Sequence, residues 1–287
     1  MLKHKYNRKD EEMKILVTGS EGFIGRNLVN KLFAEDNDIF EFDAKHFEPM
    51  SLFDILDFSQ IQHIYHLGAI SSTVEKNVNR LFEYNVQFSI ELFEHAIQWH
   101  IPITYTSSAS VYGNTMIDGR YEYNPLNYYA TTKQIIEMWI KDHFNDFTSI
   151  NVMRLYNVYG EDERKDNMTT SPIYRFTQQA KKDGYITLFN NSHKGVRDFI
   201  SISDVLRAFE WAARPNVIGA KNIYEVGTGV PISFLEVGQM IAKKYDVPIK
   251  FIDMPSHMHD KYQWYTKAKL NLPFTPMSVR EWLETHQ

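Results

Sequence analysis

The stretch "KILVTGSEGFIGRNL", residues 14 to 28, decides how the chain begins its fold. The apolar run KILV is typical of a short buried strand, and TGSEG supplies the glycines of a turn. Apolar side chains then recur at close to helical spacing. The stretch therefore predicts a strand, a glycine turn and a helix in direct succession. The apolar helix positions are Phe23, Ile24, Leu28, Leu32 and Phe33.

Three glycines, Gly19, Gly22 and Gly25, follow the pattern G-x-x-G-x-x-G in this turn. The first N–H groups of a helix have no partner within it and lie at the positive end of its dipole, so such a turn favours a phosphate. We expect Gly19 to allow the tight turn, Gly22 to admit a pyrophosphate and Gly25 to let the helix pack closely. Glycines also mark purely structural turns, so the triplet alone is weak evidence.

A second strand, "DIFEFD" at 38 to 43, ends in an acid that strengthens the dinucleotide interpretation. Asp43 lies eighteen residues after Gly25, close to the spacing of about twenty expected for a ribose-binding acid. The alternative is an aspartate that merely begins a turn. An acid here accepts a free 2′-hydroxyl and repels a 2′-phosphate, which favours NAD, whereas Lys45 nearby weakens that preference. The predicted cofactor is therefore NAD or NADP.

The rest of the chain first continues the alternation of strands and helices, which predicts an α/β fold with a doubly wound parallel sheet of the Rossmann type. The segment from 43 to 63 is short for a helical crossover, so we expect an abbreviated unit there. Beyond Gly160 the pattern becomes irregular, which indicates a smaller C-terminal α/β lobe for the substrate. The expected strands are 63 to 69, 101 to 110 and 149 to 160, and the expected helices are 78 to 99 and 127 to 144.

These elements suggest a division of the chain into three parts. We expect a flexible tail over residues 1 to 12, because it is charged and lacks an apolar stripe. A dinucleotide-binding domain is expected over 13 to 160. Residues 161 to 287 are expected to form mainly the substrate lobe, with segments near 196 to 228 returning to the first domain.

Composition limits the class of function. The 287 residues carry a net charge of −5 and contain no cysteine. The charge offers no basic stripe for nucleic acid, and no apolar run approaches membrane-spanning length, so we expect neither a nucleic-acid nor a membrane partner. The absence of cysteine excludes disulfides and thiolate chemistry and favours a cytoplasmic location.

Tyr129 and Lys133 are four residues apart on a predicted helix and therefore share one face. A nearby ammonium would stabilise the phenolate and lower the pKa of Tyr129 from about 10, which would make it a usable acid or base. Ser108 lies at the carboxyl end of a predicted strand, where its hydroxyl could bind a substrate oxygen. The alternative is a surface pair in which the lysine stem covers the ring.

Six motifs in order, "TGSEGFIG", "HLGA", "SSASVYG", "NYYATTK", "RLYNVYG" and "RDFISISDV", resemble the extended short-chain dehydrogenase/reductases that act on nucleotide sugars. The resemblance runs from Met13 to the C-terminus. Within that family the chain is most similar to the heptose 6-epimerase branch, in "GAISSTVEK", "KYQWYTKAKL" and the lysine of "YGEDERKDNM". Ala109 and Ser110 stand where the dehydratase branch carries an acidic pair, which disfavours dehydration.

The resemblance implies a catalytic group, a cofactor site and a substrate site. Ser108, Tyr129 and Lys133 would be catalytic, and Lys165 would supply a second acid. The implied cofactor contacts are Gly19, Gly22, Phe23, Ile24, Gly25, Asp43, Leu67, Gly68, Ala69, Asn85, Tyr129 and Lys133. The implied substrate contacts are Ser71, Ser72, Asn157, Arg197 and Tyr262.

Two side-chain pairs have competing interpretations. Arg197 would clamp a diphosphate, or it would form a structural ion pair with Asp198. His257 and His259 could form a metal pair, but no third ligand is evident, so we expect no metal site.

The predicted function is an NAD(P)-dependent nucleotide-sugar epimerase, similar to those acting at C6 of a glycero-manno-heptose through a transient ketone. The alternatives are a 4-epimerase or reductase on another nucleotide sugar, or a non-catalytic NAD(P)-binding sensor. A homo-oligomer is also expected, paired through the helices at 78 to 99 and 127 to 144. The apolar residues proposed for that contact are Phe82, Phe93, Ile136 and Ile140, although some of them must face the sheet.

Overall fold

A computed structural model describes residues 13–163, 170–214, 217, 219–256, 259 and 262–286. The strands are β1 Lys14–Thr18, β2 Asp38–Phe42, β3 His63–His66, β4 Ile103–Ser108, β5 Ile150–Leu155, β6 Asn157–Tyr159, β7 Ile186–Phe189, β8 Val196–Arg197, β9 Phe199–Ser201, β10 Lys221–Val226, β11 Ile232–Ser233 and β12 Ile249–Ile252. The helices are α1 Phe23–Ala34, α2 Leu52–Ile55, α3 Val78–Leu81, α4 Phe88–Gln98, α5 Tyr128–Asp142, α6 Pro172–Asp183, α7 Ile202–Ala212, α8 Phe234–Tyr245 and α9 Val279–Thr285.

Six strands form the main sheet in the order β10-β5-β4-β3-β1-β2, and every pair is parallel. The chain therefore moves outward from β1 to β2, returns to β3 and continues to the other edge, which confirms the predicted Rossmann-type fold. The predicted abbreviated unit is confirmed as well, because only the single turn of α2 and two 3₁₀ turns lie between β2 and β3.

Both faces of the sheet are covered. One face packs against α2, α4 and α5 through a buried cluster that includes Leu52, Phe93 and Ile136. The other packs against α1 and α7 through a cluster that includes Leu28 and Phe209. The inner strands β1, β3, β4 and β5 are almost entirely buried, as expected of a parallel sheet covered on both faces.

The predicted helix over 78 to 99 has a π-helical segment, Phe82–Gln87, between α3 and α4. A single periodic apolar face cannot run through such a segment, because each π turn holds more residues than an α turn. Phe82 is accordingly 45% exposed, whereas Val86 and Phe93 are buried.

The elements after residue 160 divide between two places. α6, α8 and α9 surround the parallel pair β7–β12 with a separate buried cluster. β10 pairs with β5 in the main sheet, and α7 packs against α1. The exact domain boundaries stay a prediction, and the expected tail over residues 1 to 12 lies outside the described residues.

Three residues proposed for subunit contact were wrongly assigned. Phe93, Ile136 and Ile140 are completely buried against the sheet, because α4 and α5 each bury one apolar face in the domain core. The fourth proposed residue, Phe82 in the π-helical segment, is exposed, and the other exposed apolar residues on α3 and α5 are Val78, Tyr128, Ile135 and Met138. They follow helical spacing on α3 and α5 and lie on the outer side of the layer.

None of the described helices is long and apolar enough to cross a membrane. The described ranges also hold no group of three or more histidine, cysteine or acidic side chains arranged for a metal ion. His257 lies outside those ranges, so the suggested histidine pair is not described.

Candidate active site

The carboxyl ends of β1 to β5 open into a cleft of about 640 Å³. Each strand is followed or ended by a predicted site residue in the cleft wall: Gly19, Asp43, Gly68, Ser108 and Asn157. This edge is where open α/β sheets bind ligands. The other predicted residues that line the cleft are Gly22, Phe23, Ile24, Gly25, Leu67, Ala69, Ser71, Tyr129 and Lys133.

The three glycines of the first turn meet different constraints. Gly19 has φ +69°, and a Cβ there would lie 2.7 Å from Gly68. A Cβ on Gly25 would lie 2.0 Å from the Gly19 carbonyl oxygen, so this glycine lets α1 approach the turn. A Cβ on Gly22 would meet only the Gly19 oxygen, at 3.2 Å. The fold therefore requires Gly19 and Gly25, whereas Gly22 chiefly keeps the cleft open.

The start of α1 fits an anionic group. Gly22 is its N-cap residue, no side chain caps the helix, and its first turn holds no acid. Unsatisfied N–H groups and the helix dipole both attract negative charge at such an end. Because Gly22 has no side chain, a pyrophosphate can reach these N–H groups.

Asp43 is fixed beside the same turn. Its Oδ2 accepts the Glu21 N–H at 3.0 Å, and its Oδ1 accepts the Lys45 N–H at 3.0 Å. A carboxylate oxygen can accept a further bond, so Asp43 keeps acceptor capacity toward the cleft. The pyrophosphate cradle and this acid together fit a dinucleotide.

Ser108, Tyr129 and Lys133 meet in the cleft wall. Asn127 caps α5 by accepting the Ala130 N–H at 2.9 Å, and this starts the helix immediately before Tyr129. The Ser108 hydroxyl lies near the phenol of Tyr129 and acts to lower its pKa, and both side chains line the cleft. Lys133 is buried, and its Nζ donates to the Thr106 carbonyl oxygen at 2.8 Å. The predicted catalytic residues are therefore brought together.

The protonation of this group differs from the prediction. Burial raises the pKa of Tyr129 to about 12, although Ser108 opposes the rise. Burial also lowers the pKa of Lys133 to about 7, against the attraction of Glu137. The prediction that Lys133 brings the tyrosine pKa below its ordinary value was wrong for this state, because burial raises the pKa of Tyr129 and the opposing effect comes from Ser108, not from Lys133. At neutral pH Tyr129 is a phenol that can donate a proton.

Asn85, predicted as a cofactor contact, does not line the cleft. It is buried in the π-helical segment, where its Oδ1 accepts the Ile70 N–H at 2.8 Å and its Nδ2 donates to the Ile70 carbonyl at 3.1 Å. The same amide nitrogen donates to Thr132 Oγ1 at 3.0 Å. Asn85 therefore holds the loop after β3 against α5.

Arg197 is buried without a matching acid. Its guanidinium lies over the rings of Phe234 and Tyr262, at 5.3 and 5.2 Å, and donates to the Val196 carbonyl at 3.2 Å. No carboxylate in the described part of the chain pairs with it, and burial lowers its pKa to about 10. A buried, unneutralised guanidinium fits an anionic ligand.

The alternative ion pair with Asp198 is wrong. Asp198 accepts the N–H groups of Thr228, Gly229 and Ala268 at 2.7, 2.8 and 2.8 Å, and the Thr228 hydroxyl at 2.7 Å. Neighbouring residues of an extended chain point in opposite directions, so the carboxylate fastens a turn while Arg197 points elsewhere.

The other predicted substrate residues have different positions. Arg197, Tyr262 and Ser72 do not line the cleft described above. β8, which carries Arg197, precedes β9 by one residue along the chain. β9 pairs with β6, whose first residue, Asn157, lines the cleft. Lys165 lies outside the described residues. The segment that contains it begins after Glu163, whose carboxylate accepts both the N–H and the hydroxyl of Ser171.

Sequence patterns missed several residues of the site. Arg175 on α6 interacts electrostatically with Tyr262, and desolvation lowers its pKa. Arg80 and Tyr84 line the cleft one helical turn apart. No motif marked these three, because only the folded chain brings them to the site. Further lining residues outside the predictions are Thr73, Tyr156, Thr170, Ser171 and Pro172.

A paired charge network adjoins the catalytic group. Arg154 on β5 forms ion pairs with Glu137 on α5 and with Glu225 on β10. Glu137 also accepts the hydroxyls of Ser107 and Tyr123, at 2.5 and 2.6 Å. Glu225 accepts the hydroxyls of two further tyrosines, Tyr112 and Tyr156. Glu137 follows Lys133 by one turn, so the network sets the field around the catalytic lysine.

A curated relative matches almost the whole chain. The ADP-L-glycero-D-manno-heptose-6-epimerase of Alkalilimnicola ehrlichii is 29% identical over 288 aligned residues, which cover 90% of this chain and 89% of that protein.

Solved structures share the fold. The Helicobacter pylori ADP-L-glycero-D-manno-heptose-6-epimerase has a TM-score of 0.80 at 23% identity and covers 96% of this chain and 94% of its own. The UDP-N-acetylglucosamine 4-epimerase of Methanobrevibacter ruminantium has a TM-score of 0.81 at 19% identity, covering 95% and 97%. The model of the NAD dependent epimerase/dehydratase family matches residues 15–227, and this chain belongs to that family.

Proposed function

We propose that this protein is a nucleotide-diphosphate-sugar epimerase that inverts C6 of an ADP-linked glycero-manno-heptose. The carrying observation is the contact between Ser108 and Tyr129, beside buried Lys133, in the cleft that begins at the glycine turn. The curated relative supports the heptose assignment, because it carries that name and aligns along 90% of the chain.

The residues divide the chemistry among them. When bound, the nicotinamide supplies the acceptor and donor of hydride. The small fraction of Tyr129 that is deprotonated at neutral pH, where its pKa is raised to about 12, takes the proton of the sugar hydroxyl at Oη as the carbinol becomes a ketone, and Ser108 Oγ binds the oxygen. Lys133 lies one turn below Tyr129 and favours the phenolate when it is charged. The residues of the site would then return a proton to the ketone oxygen, so that an alcohol of the opposite configuration is restored.

Inversion at an exocyclic carbon needs a second proton donor. Rotation about the C5–C6 bond carries the ketone oxygen away from Tyr129, so an acid on the opposite side must protonate it. We assign this role to Lys165, on the segment after Glu163. Lys165→Met should keep cofactor and sugar binding and strongly reduce epimerisation, and near-normal turnover would contradict the assignment.

The substrate diphosphate is assigned to Arg197 and Tyr262. The buried cation needs an anion, and the ring of Tyr262 holds it in place. In this assignment α6, α8 and α9 form the substrate lobe, and the sugar extends from Arg197 toward Tyr129.

The direct test is product analysis with the two C6 epimers of the ADP-heptose and a panel of UDP-sugars. Interconversion of the heptose epimers without net change of NAD(H) is expected. Tyr129→Phe should reduce turnover ~10³-fold, since it removes the acid and base. Tyr128→Phe is the matched control, because Tyr128 is the adjacent residue and is 53% exposed. Equal activity of both variants would reject the mechanism.

A 4-epimerase is the second candidate, because the 4-epimerase structure matches this fold as well as the heptose enzyme does, at TM-scores of 0.81 and 0.80. A sugar that turns over as a whole returns its oxygen to Tyr129 and needs no second acid. Activity on UDP-sugars that persists in Lys165→Met would favour this candidate. Net consumption of NADH would indicate a reductase.

A homo-oligomer completes the proposal. Val78, Phe82, Ile135 and Met138 form an exposed apolar patch across α3, the π-helical segment and α5. A second copy of this chain would cover the patch in a symmetric pair. Met138→Glu should yield a monomer in light scattering, whereas Val230→Glu, at another exposed apolar position, should not. A wild-type monomer at micromolar concentration would contradict the proposal.

A further inference from the structure

Two basic side chains that follow β2, Lys45 and His46, contact an acid from the glycine turn, Glu21. Lys45 Nζ lies 3.3 Å from one carboxylate oxygen of Glu21, and His46 Nε2 contacts the other. The hydrogen bond from His46, with a smaller one from Lys45, lowers the pKa of Glu21. The cluster therefore contains a charged carboxylate that contacts both basic side chains.

This cluster adjoins the ribose side of the cofactor site. Lys45 lines the cleft immediately beside Asp43 and Ala44, close to Gly19 and Gly22. In Rossmann-type sites an acid at this strand end binds the ribose hydroxyls of NAD, whereas a nearby cation accommodates the 2′-phosphate of NADP. This chain has both an acid, Asp43, and a cation, Lys45, directly after β2.

Asp43 alone gives a weak barrier to a 2′-phosphate. Each of its oxygens already accepts a backbone N–H, and those donors offset part of its negative charge. Two basic side chains follow it within three residues. Without a further acid, the charge facing a 2′-phosphate would be balanced or positive.

We propose that Glu21 is the residue that makes this site select NAD over NADP, because it engages Lys45 and His46 and keeps them from a 2′-phosphate. It also adds a second negative charge beside Asp43. The backbone of Glu21 fixes Asp43 and its side chain neutralises the cations, so one residue of the glycine turn performs both tasks. The inference depends only on cofactor binding and is independent of which sugar is the substrate.

The test measures the dissociation constants of NAD⁺ and NADP⁺ by calorimetry on protein freed of cofactor. Glu21→Gln removes the charge while retaining the size and the backbone N–H. We expect NADP⁺ to bind ~10-fold tighter and NAD⁺ to change less than about threefold, as suits exposed charges a few ångströms apart. Glu94→Gln on α4 is the matched control, because it makes the same charge change on an exposed residue away from the cleft.

A second variant separates the freed cation from a general change of charge. Adding Lys45→Met to Glu21→Gln should return NADP⁺ affinity toward the wild-type value. High salt should narrow the gap between Glu21→Gln and wild type, because these charges are exposed to solvent. A folded Glu21→Gln protein whose NAD⁺ to NADP⁺ preference matches wild type within twofold would overturn the proposal. Persistence of its tighter NADP⁺ binding after Lys45→Met would do the same.

Discussion

Two arginines of this protein are buried under opposite conditions. Arg154 lies between two carboxylates, Glu137 and Glu225. Burial by itself lowers the pKa of Arg154, but the hydrogen bond and the charge of Glu137, together with neighbouring tyrosines, raise it above the ordinary value. Arg197 lies between aromatic rings, and burial without an acid lowers its pKa to about 10. The charged form of the guanidinium is therefore stabilised at Arg154 and destabilised at Arg197.

This difference distinguishes an arginine that stabilises the fold from one that is placed to bind a ligand. A paired buried charge holds its neighbours in place, and removing one partner leaves the others uncompensated. An unpaired buried charge does not benefit the fold, so its retention indicates a ligand that completes it. The network of Arg154 therefore supports α5, which carries the proposed catalytic residues, whereas Arg197 has the environment of the anion-binding residue that we propose.

The strongest test of this contrast is Arg154→Met. It leaves Glu137 and Glu225 without their cation, so we expect a loss of ~3–5 kcal/mol in the free energy of unfolding, measured with urea. If this variant does not fold, Glu137→Gln provides a milder form of the same test. Stability equal to wild type in both variants would remove the distinction between the arginines.

Arg197→Met should affect binding instead. The nucleotide-diphosphate sugar should bind ~100-fold more weakly, the loss expected for a charge-assisted contact, while NAD⁺ affinity stays the same. The unfolding free energy should stay constant or rise, because a desolvated cation is removed. Calorimetry with sugar and with NAD⁺ separates the two ligands, and a fall in stability like that of Arg154→Met would contradict the contrast.

Lys133→Met tests a third buried basic side chain, which lies next to the Arg154 network and is also a proposed catalytic residue. Its pKa falls from 10.5 to about 7 in the folded protein, so below pH 7 the fold bears the cost of its charge. Between pH 7 and 10.5 the unfolded chain binds more protons, and the stability contributed by this group rises with pH. The variant should be inactive yet more stable than wild type by ~1–3 kcal/mol at pH 6.

That stability difference should narrow as pH rises toward 10. Urea unfolding of both proteins at pH 6, 8 and 10 measures it. A constant difference across this range would show that Lys133 does not titrate with a lowered pKa.

The smallest effect is expected for Arg175→Met. Arg175 approaches Tyr262 from α6 and is more exposed than Arg197, so its removal should weaken sugar binding by only ~5-fold. Lys182→Met, at an exposed position on the same helix, is the control. Equal affinities of the two variants would limit the diphosphate site to Arg197.

Local spacing predicted the parts of the site that one segment carries. The glycine turn and the pair Tyr129 and Lys133 each lie within a single turn or helix, so sequence order fixed their geometry. Asp43 and Ser108 could be placed because parallel strands end at one edge. These residues line one cleft as expected.

The features that the sequence did not predict correctly depend on tertiary packing. Periodicity showed that Phe93, Ile136 and Ile140 share apolar faces, but it could not tell a face on the sheet from a face on another subunit. The pKa of Tyr129 depends on burial by distant segments, and Arg175 meets Tyr262 only in the folded chain. The use of Asn85 to hold Ile70 required the π-helical segment, which has no reliable sequence pattern.

The solitary guanidinium of Arg197 has a practical consequence for the choice of buffer. Inorganic phosphate and sulfate offer anionic oxygens like those of a diphosphate, so if Arg197 binds the substrate as proposed, we expect them to compete with the sugar and raise its apparent KM. Assays in chloride salts of an amine buffer avoid this competition. In crystals grown from sulfate, the anion found beside Arg197 would mark where the sugar nucleotide is anchored.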